Sequence, residues 1–241
     1  MGAPPQRHAG NRWCVHRFPT CQRPGLTVKV VAIPAWVTGT NAYLAYEEKG
    51  GVAFLVDIPP DPKAVSKVVL EHDVTVAAVL LTHGHVDHSG GAGEFVADHG
   101  SEVYVHPDDD FLTLHPEEQL KQIFGMAPPG SYEVPKKLTS LEDGQVLDLA
   151  GFAVETRHTP GHTPGHCCFY VADDAVLFSG DQLFKGSVGR TDLPGGSWDQ
   201  LLESMRERVL TLDDDVHVLP GHGPQTTIGT ERRSNPFIRG L

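Results

Sequence analysis

The stretch VTVAAVLLTHGHVDHSGG (74–91) constrains this chain more than any other. Its first nine residues are apolar on both faces, as expected of a strand buried in the middle of a sheet. The next six positions carry His83, His85, Asp87 and His88, with Gly84 among them and Gly90 and Gly91 just beyond. A buried strand running straight into four titratable groups requires a layered α/β fold whose sheet edge presents those groups together. Left unpaired in a protein interior, each would cost about 1–3 kcal/mol. A metal ion removes that cost, so the stretch reads as a metal-ligand loop.

The same arrangement recurs further on. His162 lies in TPGHTPGH (159–166) before the apparent strand CCFYVA (167–172). Asp181 directly follows AVLFSG (175–180), and His222 follows VHVLPG (216–221). Glycine and proline flank each of them, allowing tight turns that aim the side chains. In an extended segment residues 83, 85 and 87 share one side and 88 takes the other. A turn after Asp87 would bring His88 to a neighbouring site. Two ligands for one ion and two for a second follow, with His162 and His222 completing the sets and Asp181 available to bridge. Imidazole and carboxylate ligands suit zinc, iron or manganese and leave positions open for water. Asp87 and Asp181 are also the candidate catalytic carboxylates, orienting a nucleophile rather than acting as independent bases.

Around these loops the pattern alternates strands and helices. Strands are expected over 28–33, 40–47, 52–57, 74–82, 102–106, 146–157, 167–172, 175–180 and 216–219. Helices are expected over 61–73, 89–100 and 116–125. The clearest helix spans 197–212, with Trp198, Leu201, Leu202, Met205, Val209 and Leu212 as its apolar stripe and Ser197 and Gln200 as a capping box. The segment 107–142, with Pro128, Pro129, Lys136 and Lys137, is irregular; it either overhangs the site or is a passive surface loop. Residues 1–26 read as a flexible extension and 27–241 as the folded domain. His8, Cys14, His16 and Cys21 in the extension fit no compact zinc-finger spacing.

Composition sets limits on partners. The 241 residues carry 19 Lys plus Arg against 31 Asp plus Glu, a formal charge of −12, which argues against nucleic acid as the main partner. No apolar run approaches the roughly 20 residues of a membrane span. Adjacent Cys167 and Cys168 read as core residues on opposite strand faces, and no signal-peptide pattern opens the chain, so a cytoplasmic location is expected. Of the other histidines, His99 and His115 read as surface residues, and His106 and His158 as surface or core. His166 either supports the site or faces solvent.

THGHVDHSGG (82–91), TPGHTPGH (159–166), SGD (179–181) and PGHG (220–223) together resemble the metallo-β-lactamase superfamily. The resemblance implies a four-layer αβ/βα sandwich of two mixed sheets flanked by helices. It further implies His83, His85 and His162 on a first metal, Asp87, His88 and His222 on a second, and Asp181 between them. LFKGSVGRTDLPGG (183–196) and ERRSNPF (231–237) resemble the compact type II glyoxalases, which hydrolyse hydroxyacyl thioesters of glutathione with two divalent metal ions, most often zinc, sharing a hydroxide. The GRTD segment also resembles persulfide dioxygenases, in which a single iron on His83, His162 and Asp181 would be expected. True β-lactamases usually carry an export signal and lack the bridging aspartate. Two-domain glyoxalases II place a lysine where Arg190 stands, tyrosines where Thr191, Asp192 and Leu193 stand, and a further helical domain beyond. Only 19 residues follow His222 here. Arg190 is therefore a candidate for a substrate carboxylate, or for a structural pair with Asp192. A small-molecule thioester is the expected substrate, and oligomeric state is left open.

Overall fold

The computed structural model describes residues 27–241 and the backbone alone of a short strand at Val15–His16. Apart from that backbone, the extension at 1–26 and its His8, Cys14, His16 and Cys21 lie outside the described residues.

The first sheet contains β1 (Val15–His16), β2 (Lys29–Ala35), β3 (Thr40–Tyr46), β4 (Val52–Val56), β5 (Thr75–Leu80), β6 (Glu102–Val105) and β7 (Thr139–Ser140), in that spatial order. Pairing is antiparallel from β1 to β4 and parallel from β4 to β7. The second half of the chain forms β8 (Val146–Leu149), β9 (Phe152–His158), β10 (Cys167–Val171) and β11 (Val176–Gly180). A small hairpin of β12 (Leu183–Phe184) and β13 (Ser187–Val188) follows, then β14 (His217–Pro220) and β15 (Thr226–Thr227). The second sheet runs β15-β14-β11-β10-β9-β8, antiparallel except for the β11–β14 pair.

The helices are α1 (Pro62–His72), α2 (Val86–Ser89), α3 (Ala92–His99), α4 (Asp110–Thr113), α5 (Pro116–Phe124), α6 (Trp198–Ser204) and α7 (Ile228–Ser234). Alternating apolar residues explain the layering. Phe54, Tyr43, Phe169 and Phe178 face inward between the sheets. The opposite faces of β3, β4 and β5 pack Leu44, Leu55 and Val79 against Val65, Val68 and Val69 of α1 and Phe95 of α3. On the far side Leu177 and Val218 meet Leu201 of α6 and Ile228 of α7. Cys167 joins the core between the sheets and Cys168 the core under α6, so the pair does point to opposite faces. Two mixed sheets, each covered by helices, make the expected four-layer sandwich.

Three local expectations are corrected. The run 146–157 is a hairpin, because Ala150 (φ 54°) and Gly151 (φ 83°) form a tight turn between β8 and β9. Positive φ at both central positions suits the twist of a two-residue hairpin. The 197–212 helix is α-helical only to Ser204 and then widens into a π turn over Met205–Val209. Ser197 caps it by accepting from the Gln200 N–H, yet Trp198 stays 42% exposed instead of joining the stripe. The helix read at 89–100 is two helices, the first beginning at Val86 inside the histidine cluster.

Candidate metal centre

Parallel strands aim the cluster. β5 delivers His83 and His85, while β11 and β14 run side by side, pairing Gly180 with Pro220. Asp181 and His222 therefore leave the same edge of the second sheet. The two sheets are tied at this edge by Cys167 N–H donating to Thr82 O at 2.7 Å and Asn41 N–H to Gly221 O at 2.8 Å. His85 is extended (φ −62°, ψ 142°), and the chain turns helical at Val86. Asp87 thus lies within α2, not on an extended face shared with His83 and His85. The turn comes after His85, two positions earlier than the sequence suggested.

The imidazoles converge. His162 Nε2 lies 3.2 Å from His83 Nε2 and 2.9 Å from His85 Nδ1. On the other side His88 Nε2 lies 3.3 Å from His222 Nε2. Asp181 stands between the sets: Oδ1 is 3.4 Å from His88 Nε2, and Oδ2 is 3.6 Å from His162 Nε2 and 3.7 Å from His222 Nε2. Asp87 Oδ2 sits 3.2 Å from His222 Nε2 and accepts from the Thr40 hydroxyl at 3.0 Å.

Partners on the far side of three rings, His162, His88 and His83, orient them. The His162 Nδ1–H donates to Arg190 O at 2.6 Å, so Nε2 carries a lone pair. His88 Nδ1–H donates to Asp57 Oδ2 at 2.8 Å, which turns its Nε2 towards Asp181 and His222. The Thr82 hydroxyl gives its proton to Asp57 Oδ2 at 2.8 Å, so its oxygen accepts from His83 Nδ1–H at 3.0 Å. His83 Nε2 is then a lone pair too. Facing lone pairs repel unless a cation lies between them, and ring orientation by a second hydrogen bond is how metal-binding histidines are usually held.

Charge points the same way. Burial, strengthened by neighbouring histidines, lowers the pKa of His83 and His85 and keeps them neutral. Burial would lower His88 too, but Asp181, Asp87 and Asp57 carry its pKa up to about 10. Burial pushes the Asp87 carboxyl up, while His88 and His222 outweigh that and hold it below the ordinary carboxylate range. Three carboxylates around one ring demand positive charge. Asp181 Oδ1 is buried with no hydrogen-bond partner. Donors, charge and orphaned oxygen all fit metal ions, with His83, His85 and His162 forming one ligand group and Asp87, His88 and His222 another.

Other buried residues brace this cluster and were not legible as site residues. Asp57, 1% exposed and at φ 60°, accepts from the Thr82 N–H and hydroxyl and from His88. Asp109 accepts from Gly84 N–H, Gly165 N–H and the Thr163 hydroxyl, clamping the two histidine loops together. Gln119 of α5 accepts from Val86 N–H and donates to Gly84 O. His166 is buried, accepts from the Asp181 N–H at 3.1 Å and holds Thr159 through its other nitrogen, so of its two readings the supporting one matches the structure. Gly221 has no room for a side chain, since a Cβ would lie 2.3 Å from Asp181 Oδ1 and 2.6 Å from His88 Cε1.

Three further histidines lie elsewhere. His99 stacks on Phe95 and hydrogen-bonds Ser66. His106 and His158 stack with ring centroids 4.0 Å apart and planes within 8°, beside Asp108. Their lone pairs lie in those parallel planes, so the two rings do not aim at one ion. Arg190 makes two 2.7 Å bonds to Asp192, matching the structural pair. Of the 107–142 segment, Phe111, Leu112, His115, Glu118, Gln119, Gln122 and Ile123 border His85 together with Leu193 and Pro194, enclosing a groove of about 210 Å³. Lys137 instead reaches Glu102, at the end of β6 away from the histidines. The part of the segment that overhangs the site is therefore the helical part, 110–123.

A family description of the metallo-beta-lactamase superfamily matches residues 35–222. The chain belongs to that superfamily, whose members bind dinuclear metal sites and are typically hydrolases. It is 35% identical over 211 residues to hydroxyacylglutathione hydrolase GloC of Haemophilus influenzae, covering 88% of this chain and 98% of the relative. Among solved structures it is similar to BLEG-1, a B3 metallo-beta-lactamase, with 36% identity, a TM-score of 0.79, and 87% and 99% of the two chains covered. It is also similar to TTHA1623 in a di-iron-bound form, with 39% identity, a TM-score of 0.75, and 86% and 98% covered. Among the described residues no helix is long and apolar enough to cross a membrane.

Proposed function

We propose that this chain is a two-metal hydrolase of a hydroxyacyl thioester, with His83, His85 and His162 on one ion, Asp87, His88 and His222 on the other, and Asp181 on both. The observation that carries the reading is the convergence of two groups of ligand atoms, His83, His85 and His162 on one side and Asp87, His88 and His222 on the other, with the Asp181 carboxylate between them. The GloC relative, which aligns along nearly its whole length, supports the thioester as substrate class. When bound, the ions supply a water whose pKa falls towards 7 and a Lewis acid for the carbonyl.

The residues of the chain do the positioning. Asp57 and Thr82 fix His88 and His83, Arg190 O fixes His162, and His166 fixes the Asp181 backbone. The half-exposed His222 leaves the cluster open on its outer side. Asp87, held by Thr40, and Asp181 orient the attacking water as acceptors. In the reaction a C–O bond forms, the C–S bond breaks, and the thiolate leaves with the electron pair, so no strong general acid is required.

Elemental analysis of protein expressed with both zinc and iron available tests the metal count, followed by thioester turnover. About two ions per chain with thioester cleavage is the expected result. One iron per chain with oxygen uptake on a persulfide would replace hydrolysis by a dioxygenase reaction. The BLEG-1 similarity makes a chromogenic β-lactam the control substrate. Faster turnover of the lactam than of any thioester would overturn the substrate class.

A further inference from the structure

Resting on the hydrolase reading, we infer that the groove beside His85 receives the thiol arm of the substrate, and that this arm is apolar and free of carboxylates. Phe111 is 46% exposed and Ile123 38% exposed, with Leu193 and Pro194 opposite, all against a buried histidine of the metal cluster. Exposed apolar walls at a catalytic edge favour an apolar occupant that removes them from water. The volume of about 210 Å³ is below that of a drug-sized pocket, so the groove takes one arm of a substrate and not the whole. The thiol carrier is the larger arm beside a small hydroxyacyl group.

Charge decides which carriers fit. Among the described residues lining the groove, Glu118 bears the permanent charge, and it is negative. The positive end of α5 is already answered by Glu117 and Glu118 in its first turn. Arg190 is not among the residues lining the groove, and its guanidinium makes two bonds to Asp192. The two carboxylates of glutathione therefore meet no lysine or arginine lining the groove and share it with Glu118. A carrier such as an acylated cysteamine covers the apolar walls and can hydrogen-bond the Gln122 and Gln119 amides, bringing no carboxylate towards Glu118.

The test compares kcat/KM of the metal-loaded full chain on S-lactoylglutathione and on S-lactoyl-N-acetylcysteamine, an uncharged carrier with the same acyl group. The uncharged ester is expected to be favoured by about tenfold or more, as unpaired carboxylates are penalised. Glu118→Lys should narrow that ratio about fivefold, because it reverses the charge facing the carrier. A preference for the glutathione ester, or a ratio unmoved by Glu118→Lys, overturns the inference while leaving thioester hydrolysis intact. Failure to cleave either ester sinks the hydrolase reading instead. The groove is then judged by calorimetric binding of the two S-methyl thioethers, and tighter binding of S-methylglutathione overturns it.

Discussion

The metal cluster and the groove beside it share His85 but are built in opposite ways. The histidines and aspartates of the cluster are buried except for the partly exposed Asp87 and His222, and several are held through a second bond to another buried residue or to the backbone. The groove is walled by side chains of the short helices α4 and α5 and the turn at 193–194, among them the exposed Phe111 and Ile123. A dense polar network fixes atoms to within tenths of an ångström, and partial satisfaction of such a network is costly. Apolar walls on short helices tolerate substitution. On the proposed reading, chemistry is set in the hydrogen-bonded region and substrate choice in the apolar one, and substitutions in the two should behave differently.

The largest loss is expected where the two metal sets meet. Asp181→Asn should lower kcat/KM at least ~100-fold and release metal, as removal of a bridging carboxylate would. Turnover near that of the unmodified chain would remove Asp181 from the bridge. Gly221→Ala should act through the same atom by crowding Asp181 Oδ1, and elemental analysis should find less than the full metal content in protein that still folds. Full retention would show that the strand end can shift.

Next in size is the bracing residue Asp57. Asp57→Ala leaves His88 and Thr82 without their acceptor, and metal affinity should fall about 10–100-fold. Competition with a chelator measures it directly. An unchanged affinity would mean that the cluster is rigid without its support, and the contrast with the groove would weaken.

Asp57 also shows where reading the sequence stops. Residues at strand ends next to glycine, such as His83, Asp181 and His222, stand out because a buried strand cannot absorb them. Asp57 ends the apolar run VAFLVD and looks like an ordinary strand terminus before IPP. Asp109 sits in the triplet DDD (108–110), which resembles a solvated surface run, although it is fully buried. Gln119 lies in PEEQLKQ, an exposed-looking helix turn, and its role depends on a fold of the chain 33 residues from Val86. Such partners are set by tertiary packing and leave no local period. The α2 turn at Val86–Ser89 escaped for a different reason, since four residues are too few to show a helical repeat. The 146–157 hairpin escaped because Ala-Gly is a weak turn signal beside Asn-Gly or Asp-Gly.

A smaller effect concerns acid. Burial keeps His166 neutral, as it does His83 and His85, each below the ordinary imidazole pKa of 6.5. The unfolded chain binds more protons there, so stability from these groups is present above pH 6.5 and is lost as pH falls below it. His88 runs the other way, contributing stability below pH 6.5 that is lost as pH rises through about 10. The metal-free chain should therefore melt lower on either side of neutrality, with His166→Asn flattening the acid limb. An acid limb of unchanged slope would show that the buried rings are protonated in the folded chain.

The smallest effect is expected at Arg190, and its smallness separates the two regions most sharply. The cluster uses the Arg190 carbonyl, which receives the His162 Nδ1–H at 2.6 Å, and not its guanidinium. The guanidinium is exposed and tied to Asp192 in the same turn, an arrangement worth little in water. Arg190→Ala keeps the carbonyl, so His162 should stay oriented and kcat/KM should fall less than about threefold. Asp192→Ala should match it, because either change removes only the pair. A selective loss of more than about tenfold on a carboxylate-bearing ester, with an uncharged ester unaffected, would show the guanidinium leaving Asp192 for the substrate. The rim would then be charged machinery like the cluster behind it, and the division between fixed chemistry and permissive walls would fail at this residue.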